Sequence, residues 1–351
     1  MKTVPLRVAR RFADAAARLE IQPLGNGLIN DTYLVEAASG AWVLQRINAE
    51  VFPEPRRVVD NLLLLGRHIR AKPPATVRLR IPAIIPTRDG EPCYQDEHGQ
   101  IWRALELISP AISREKIDNP RQAAEVGAAL AHFHGLCSDL PADAMFDTLP
   151  GFHVTPTYYR HYLAVLDRPL PVVDDVEFRE CVAFIAEHRQ HVDVLESMRL
   201  RQRIIHGDPK LNNFLFHPDG NDVVSLIDLD TVKPGLVHYD IGDCLRSCCH
   251  LRDRHQFDLA LCGEILKHYL REAGDFFTAA DYDCLYAAIW LIPFELGLRF
   301  FSDYLAGDRY FKTRQPRQNL TRALAQFELC RDIARQRGEI EALVAAFRRA
   351  V

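Results

Sequence analysis

The segment Ile204-Ile205-His206-Gly207-Asp208-Pro209-Lys210-Leu211-Asn212-Asn213 carries the densest chemistry in the chain. An apolar run leads into a tight His-Gly-Asp turn, and Asn213 stands five positions after Asp208. A second apolar run, Val223 to Leu226, then ends in Ile227-Asp228-Leu229-Asp230, with Asp228 fifteen residues beyond Asn213. Phosphoryl transfer needs a carboxylate beside the attacking hydroxyl, to orient it and accept its proton, and oxygen ligands for Mg2+ close by. Asp208 fits the first need. Asn213 and Asp228 supply the amide and carboxylate oxygens that a hard cation prefers. Alone, His-Gly-Asp is also a β-turn and the acidic segment a strand end; the ordered pair between two apolar runs is the specific signal. His206 reads as a brace for the turn rather than a proton carrier.

These residues require strands to aim them and helices to carry them. Val8 to Glu20 has the pattern of an amphipathic helix, followed by Leu24-Gly25-Asn26-Gly27. Thr32 to Glu36 and Trp42 to Ile47, separated by Ser39-Gly40, read as a hairpin. Pro55 to Ile69 reads as a helix with proline in its first turn. Ile81 to Pro86, Pro92 to Tyr94 and Ile101 to Leu107 suggest further strands, with Asp89-Gly90 and His98-Gly99 as turns. After Ser109-Pro110 the texture becomes helical. Asn119-Pro120 is a cap followed by a first-turn proline, and Val126, Leu130, Phe133 and Cys137 follow at helical spacing. Thr278 to Asp281 reads as a capping box opening a helix that is apolar on most sides through Trp290, Leu291, Phe294 and Leu298. The expected organisation is α+β: a small β-containing lobe over residues 1–107, a hinge, and a larger helical lobe over 108–351.

The totals bound the function. A chain of 351 residues, 48% hydrophobic and 26% charged, can build the cores of a two-lobed enzyme. A net charge of −4 gives no footprint for nucleic acid, and Arg199, Arg201 and Arg203 read as solvated helix faces or charge pairs. No uninterrupted apolar run reaches about 18 residues and the amino terminus lacks an apolar core, so neither a membrane span nor a signal peptide is expected. Nine scattered cysteines without a CxxC pair point to reduced thiols and a cytoplasmic location. No His/Cys set has zinc-ligand spacing, and His132 and His134 fall on different sides of one helix.

His-Gly-Asp-x-x-x-x-Asn followed by Ile-Asp resembles the aminoglycoside phosphotransferase and choline kinase group, which shares the protein-kinase fold. Within it, Ile227 to Gly235 and Tyr239-Asp240-Ile241-Gly242-Asp243 look like the N-acetylhexosamine 1-kinases. So do Gly27 to Tyr33, Leu44-Gln45-Arg46-Ile47-Asn48, and Gly297 to Leu305 with Gly307-Asp308 and Tyr310-Phe311. The resemblance runs from about residue 20 to 330. It implies a two-lobed kinase fold, MgATP as phosphoryl donor, and a sugar as small-molecule acceptor, attacked through its anomeric hydroxyl to yield a sugar 1-phosphate.

The resemblance also carries roles to positions. Asp208 becomes the catalytic base, also in contact with the acceptor. Asn213 and Asp228 become the magnesium ligands, with Asp230 assisting through a second metal or a water. Gly25-Asn26-Gly27 with Asn30 looks like a degenerate glycine-rich loop, where glycine lets backbone N–H groups approach phosphate. Glu106 and Leu107 look like the hinge that binds adenine. Arg299 matches a sugar-contacting arginine, and it is equally placed for an ion pair with Glu295 four residues earlier. Of Asp240 and Asp243, one is expected to brace the catalytic loop and Asp243 to face the acceptor. The sequence departs from the protein-kinase pattern at the strand lysine. Gln45 holds that position while Arg46 carries the charge, and alternation sends the two to opposite faces. Other readings are an aminoglycoside or choline kinase, and a nucleotide-binding regulator without turnover. A monomer or simple homodimer suits any of them.

Overall fold

The computed structural model describes residues 3–14, 16–25, 29–169 and 175–350. Asn26 and Gly27 of the expected glycine-rich loop lie outside the described residues.

The amino-terminal part is an antiparallel sheet with one helix before its first strand and one between its third and fourth. Helix α1 (Thr3–Ala9) precedes β1 (Glu20–Pro23), β2 (Asp31–Ala37) and β3 (Gly40–Arg46); α2 (Pro55–Arg70) then leads to β4 (Ile84–Ile85), β5 (Tyr94–Gln95) and β6 (Ile101–Glu106). The strand order is β1-β2-β3-β6-β4, with β5 also on β6. The expected hairpin is β2–β3, in register from Asp31↔Arg46 to Ala37↔Gly40. The helix expected over Val8 to Glu20 does not form: α1 ends at Ala9, and the described residues from there to β1 are turn and irregular. The chain leaves α1 so that Phe12 packs on Trp42, ring centroids 6.0 Å apart, in a core with Val8, Val35, Leu44 and Trp102.

The carboxy-terminal part begins with the short β7 (Ile112–Ser113) and α3 (Pro120–Cys137), then α4 (Thr155–Leu166), α5 (Val176–Glu187) and α6 (Val194–Ser197). Asn119 caps α3, accepting from the Gln122 N–H at 3.1 Å. Strands β8 (Arg203–Ile205), β9 (Phe214–Phe216), β10 (Val223–Leu226) and β11 (Lys233–Gly235) follow. Next come α7 (Val237–Cys249), β12 (His250–Leu251), β13 (Gln256–Phe257), α8 (Leu259–Ala273), α9 (Ala279–Asp283), α10 (Leu285–Leu305), α11 (Gln318–Arg335) and α12 (Arg337–Ala350). Helices α3 and α8 approach so closely that a Cβ on Gly127 would lie 2.1 Å from the Ile265 carbonyl oxygen. The Thr278–Asp281 capping box is present, but the helix it opens closes at Asp283. The long apolar α10 starts separately at Leu285. That helix is the one among the described residues with the length and apolarity to cross a membrane, and 72% of its apolar window is buried within the protein.

Arg203 follows the charge-pair alternative of its expectation, not the solvated one. It sits buried on β8 and pairs with buried Asp281 at 2.7 Å. The sheet-rich part and the helical part are joined by polar bonds as well as packing. Asn61, buried on α2, donates to the carbonyls of Phe146 (2.8 Å) and Val232 (3.1 Å). Ser225 Oγ donates to the Arg80 carbonyl at 2.6 Å.

Candidate active site

Strand β8 ends at Ile205, and the chain turns at Gly207 with φ of +84°. A side chain is excluded there twice over. The backbone is left-handed, and a Cβ would lie 2.5 Å from the Thr231 carbonyl oxygen. The turn is held by Asp240, fully buried at the start of α7. Its Oδ2 accepts from the His206 N–H at 2.7 Å and its Oδ1 from the Gly207 N–H at 2.8 Å. His134 Nε2 lies 2.8 Å from the same Oδ2. Of the two acids following Tyr239, Asp240 therefore braces the loop. His206 Nε2 lies 3.0 Å from the Ile227 carbonyl, and its Nδ1 accepts from the Asp208 N–H at 3.3 Å. Burial pulls its pKa down, as a neutral positioning imidazole requires.

Asn213 and Asp228 meet because β9 and β10 form a hairpin. Phe214 pairs with Leu226, so the residue before one strand lies beside the residues after the other. Asn213 Nδ2 donates to the Asp208 carbonyl at 2.7 Å. Its Oδ1 accepts no hydrogen bond among the described residues. Asp228 occupies the left-handed region, φ of +64°, which Asp adopts more readily than most residues. Its carboxylate remains 43% exposed. Desolvation in the cleft first, and then the charge of Asp230, push its pKa up to about 6. Lys210 Nζ stands 2.5 Å from Asp208 Oδ2 and 4.0 Å from Asp228 Oδ2. Against the effect of burial, those two carboxylates hold its ammonium above the usual lysine range. The sequence reading gave this lysine no role; its place two residues after Asp208 was the available signal.

The acid set fits Mg2+ in a specific way. Among the described residues no group of three or more His, Cys, Asp or Glu side chains is arranged to hold a metal. Mg2+ keeps several waters and commonly takes one or two protein ligands plus substrate phosphate. The unbonded Asn213 Oδ1, on a residue whose carbonyl accepts from the N–H just before Asp228, together with the exposed Asp228 carboxylate, matches that pattern. Asp230 differs. It is buried, Arg103 bonds its Oδ1, and Asn30 donates to its Oδ2 at 2.6 Å. Its carboxylate is committed inside the protein, where Asp228's is open.

The nucleotide-side residues divide similarly. Gly25 has φ of +69°, with nothing near its Cβ position. Asn30 ties Asp230 to the Asn48 N–H (3.0 Å). Gln45 and Arg46 do point apart. Arg46 meets Asp31 at 2.5 Å in solvent, while Gln45 turns inward to Thr32 and Arg103. Glu106 pairs with Arg80 at 2.8 Å and gives its N–H to Ala83. Leu107, just beyond β6, makes no backbone hydrogen bond among the described residues.

Arg299 lies on α10 with 13% of its side chain exposed, 3.6 Å from Glu295. The ion pair with Glu295 that the four-residue spacing allowed is therefore present. The guanidinium carbon also stands 5.0 Å from the Phe152 ring centroid, 4.9 Å from Tyr158 and 5.6 Å from Phe311. Glu295 is buried and faces His153 Nδ1 at 3.2 Å, and His153 Nε2 reaches the Gly207 carbonyl at 2.8 Å. A relay of side chains thus connects Arg299 to the turn before Asp208. Although burial opposes it, Glu295 raises the His153 pKa. His153 carried no motif and was missed in sequence. Asp243 is buried against Arg246 at 2.8 Å. Burial opposes its ionisation, yet Arg246 and His153 hold its pKa below the usual carboxylate value.

With this geometry in place, comparison with known proteins is direct. A model of the phosphotransferase enzyme family matches residues 20–287. The fold is similar to that of a microcompartment-associated aminopropanol kinase (TM-score 0.66, 17% identity, 96% of this chain and 97% of that one). It is also similar to an aminoglycoside phosphotransferase from Alicyclobacillus acidocaldarius (TM-score 0.61, 17% identity, 97% and 98%). A third similar structure is APH(2")-IIIa in complex with GDP and kanamycin (TM-score 0.64, 16% identity, 93% and 97%). These likenesses show the fold, and the family match spans most of the chain, including the Asp208 turn, the β9–β10 hairpin and α7. The chain belongs to the phosphotransferase enzyme family.

Proposed function

We propose that this protein is an ATP-dependent kinase that phosphorylates the anomeric hydroxyl of a hexose or N-acetylhexosamine. The observation that carries the kinase reading is the convergence of Asp208, Asn213 Oδ1 and the open Asp228 carboxylate at one turn and one hairpin. Asp208 orients the acceptor hydroxyl and takes its proton as that oxygen bonds the γ-phosphorus of ATP and the bond from phosphorus to the β,γ-bridging oxygen breaks, releasing ADP. Asn213 and Asp228 would hold Mg2+, which when bound neutralises phosphate charge. Gly25 and the segment of Glu106 and Leu107 are assigned to the nucleotide, consistent with a division between lobes at 107/108. Positioning and electrostatics supply most of the rate in this class of reaction.

The acceptor reading rests on Arg299 and on the state of the acids around it. A cationic acceptor needs carboxylates left free to receive it. Glu295 is instead engaged by Arg299 and His153, and Asp243 by Arg246. Aromatic rings around a guanidinium suit a neutral polyol, whose hydroxyls accept from arginine while its C–H face packs on rings. The second reading, an amino-alcohol or aminoglycoside acceptor, draws on the names of the fold's neighbours, an aminopropanol kinase and a kanamycin complex. A non-catalytic regulator is disfavoured by the intact acid set. A cytoplasmic location accords with nine unpaired cysteines; a monomer or simple homodimer completes the proposal.

The test is an ADP-release screen with MgATP against GlcNAc, GalNAc, glucose, galactose, glucosamine, choline and kanamycin. Turnover on a free sugar, lost with its 1-O-blocked form, supports an anomeric kinase. Turnover confined to choline or kanamycin keeps the mechanism and removes the sugar. No turnover on any of them, with MgATP bound, favours the regulator or an acceptor outside this set.

A further inference from the structure

Phosphoryl transfer in a two-lobed kinase calls for a cation on the small-lobe side of the nucleotide phosphates. Strand β3 offers none that faces inward, because Gln45 turns in and Arg46 turns out to Asp31. The inward cation comes from the adjacent strand. Arg103 on β6 is the register partner of Gln45 and is 1% exposed. Gln45 Oε1 accepts from Arg103 Nε at 3.1 Å and from Nη2 at 2.8 Å, while Gln45 Nε2 donates to Thr32 Oγ1 at 3.1 Å. The glutamine is thereby fixed as the orienting group for the arginine. Arg103 Nη2 also bonds Asp230 Oδ1.

Asp230 stands two residues beyond Asp228, and three elements converge on it. Arg103 bonds it from β6, Asn30 from the loop before β2 at 2.6 Å, and Thr148 Oγ1 donates to its carbonyl at 2.9 Å. Fixing Asp230 therefore fixes the short segment that displays Asp228. A guanidinium has five N–H groups, and the Arg103 Nη1 group, buried like the rest, has no partner. A buried ion pair is often no more stable than apolar residues of the same volume, and an unpaired donor adds a further cost. Packing alone gives no reason for this arrangement.

We infer that Arg103 serves as the small lobe's cation for the nucleotide, acting from beneath the surface: it positions the Asp228 loop through Asp230 and sets its charge behind the segment that holds the metal side of the phosphates. The inference rests on the kinase reading above, and it makes Arg103 and Gln45 together the counterpart of the missing strand lysine.

The test measures affinity rather than turnover. MgADP and adenosine binding are compared by calorimetry and ligand-observed NMR for the wild-type chain, Arg103→Gln and Arg103→Gln/Asp230→Asn, after thermal melts confirm folding. The double variant removes the carboxylate that the single change would strand, so it carries the same measurement if Arg103→Gln fails to fold. Both variants are expected to lose MgADP affinity by at least about tenfold while adenosine changes by less than about threefold. Equal losses for the two ligands would assign Arg103 to the fold alone and overturn the inference. So would MgADP affinity within about threefold of wild type. A wild-type chain that binds adenosine or nothing, but never MgADP, would bring down the kinase reading, and this inference with it.

Discussion

The backbone N–H of Ile227 donates to the carbonyl of Asn213 at 3.0 Å. This bond joins the residue just before Asp228 to the other expected metal ligand. It continues the β9–β10 ladder one step past Phe214↔Leu226, so the distance between the two ligands is set by strand pairing. A hairpin is a rigid mount for a site whose chemistry depends on placement.

Asp208→Asn keeps the side-chain shape and removes the proton acceptor. Its turnover should fall by about 10²–10⁴-fold, with MgADP affinity nearly unchanged. Steady-state ADP release and equilibrium binding together check this, and a variant retaining most of its turnover would exclude Asp208 as the base.

Asp240→Ala leaves the His206 and Gly207 N–H groups and His134 without their common acceptor in a fully buried place. A loss of about 3 kcal/mol or more is expected, read from denaturant unfolding. Activity should be lost at temperatures where the variant is still folded, because the turn carrying Asp208 loses its brace.

Gly207→Ala combines a left-handed backbone, costing about 1–2 kcal/mol, with a Cβ 2.5 Å from the Thr231 carbonyl. The clash lies between the Asp208 turn and the segment following Asp228. Turnover should therefore drop more than the melting temperature implies, which paired melting and kinetic measurements will show.

Arg299→Met keeps much of the packing against Phe152, Tyr158 and Phe311 and removes the hydrogen-bond donors. The acceptor KM should rise by about tenfold or more, while the KM for MgATP holds. Arg299→Lys should not restore it, since an ammonium reproduces neither the planar fork nor its stacking. A shift in the MgATP KM alone would remove Arg299 from the acceptor site.

His250 supplies a pH dependence away from the site. Burial first, then the charges of Arg246, His255 and Arg252, lower its pKa to about 4, against about 6.5 in an unfolded chain. The unfolded state thus binds the extra proton first. The contribution of His250 is intact above about pH 6.5 and is lost as pH falls toward 4. His250→Gln should melt progressively closer to, or above, wild type as pH is lowered from 8 to 5. A constant difference across that range would contradict the assignment.

By itself the sequence determined the elements and the chemistry that is local in the chain. The Asp208–Asn213 spacing, the β2–β3 hairpin, the Asn119 cap and the helical texture after Pro110 are short-range patterns, set by turn chemistry and apolar period. The Val8–Glu20 helix failed for the complementary reason: Phe12 gains more by packing on Trp42 than its segment gains from continuing a helix, and that contact is invisible in local pattern. Only the tertiary structure decided what Arg103, Asp230 and His153 do. Arg103 and Asp230 lie 127 positions apart; the sequence reading gave Arg103 no role and expected Asp230 to assist a metal. Burial changes that reading, because a charge withdrawn from water must find its partner inside the protein. Which partner it finds depends on how the sheet-rich part closes over the helical part.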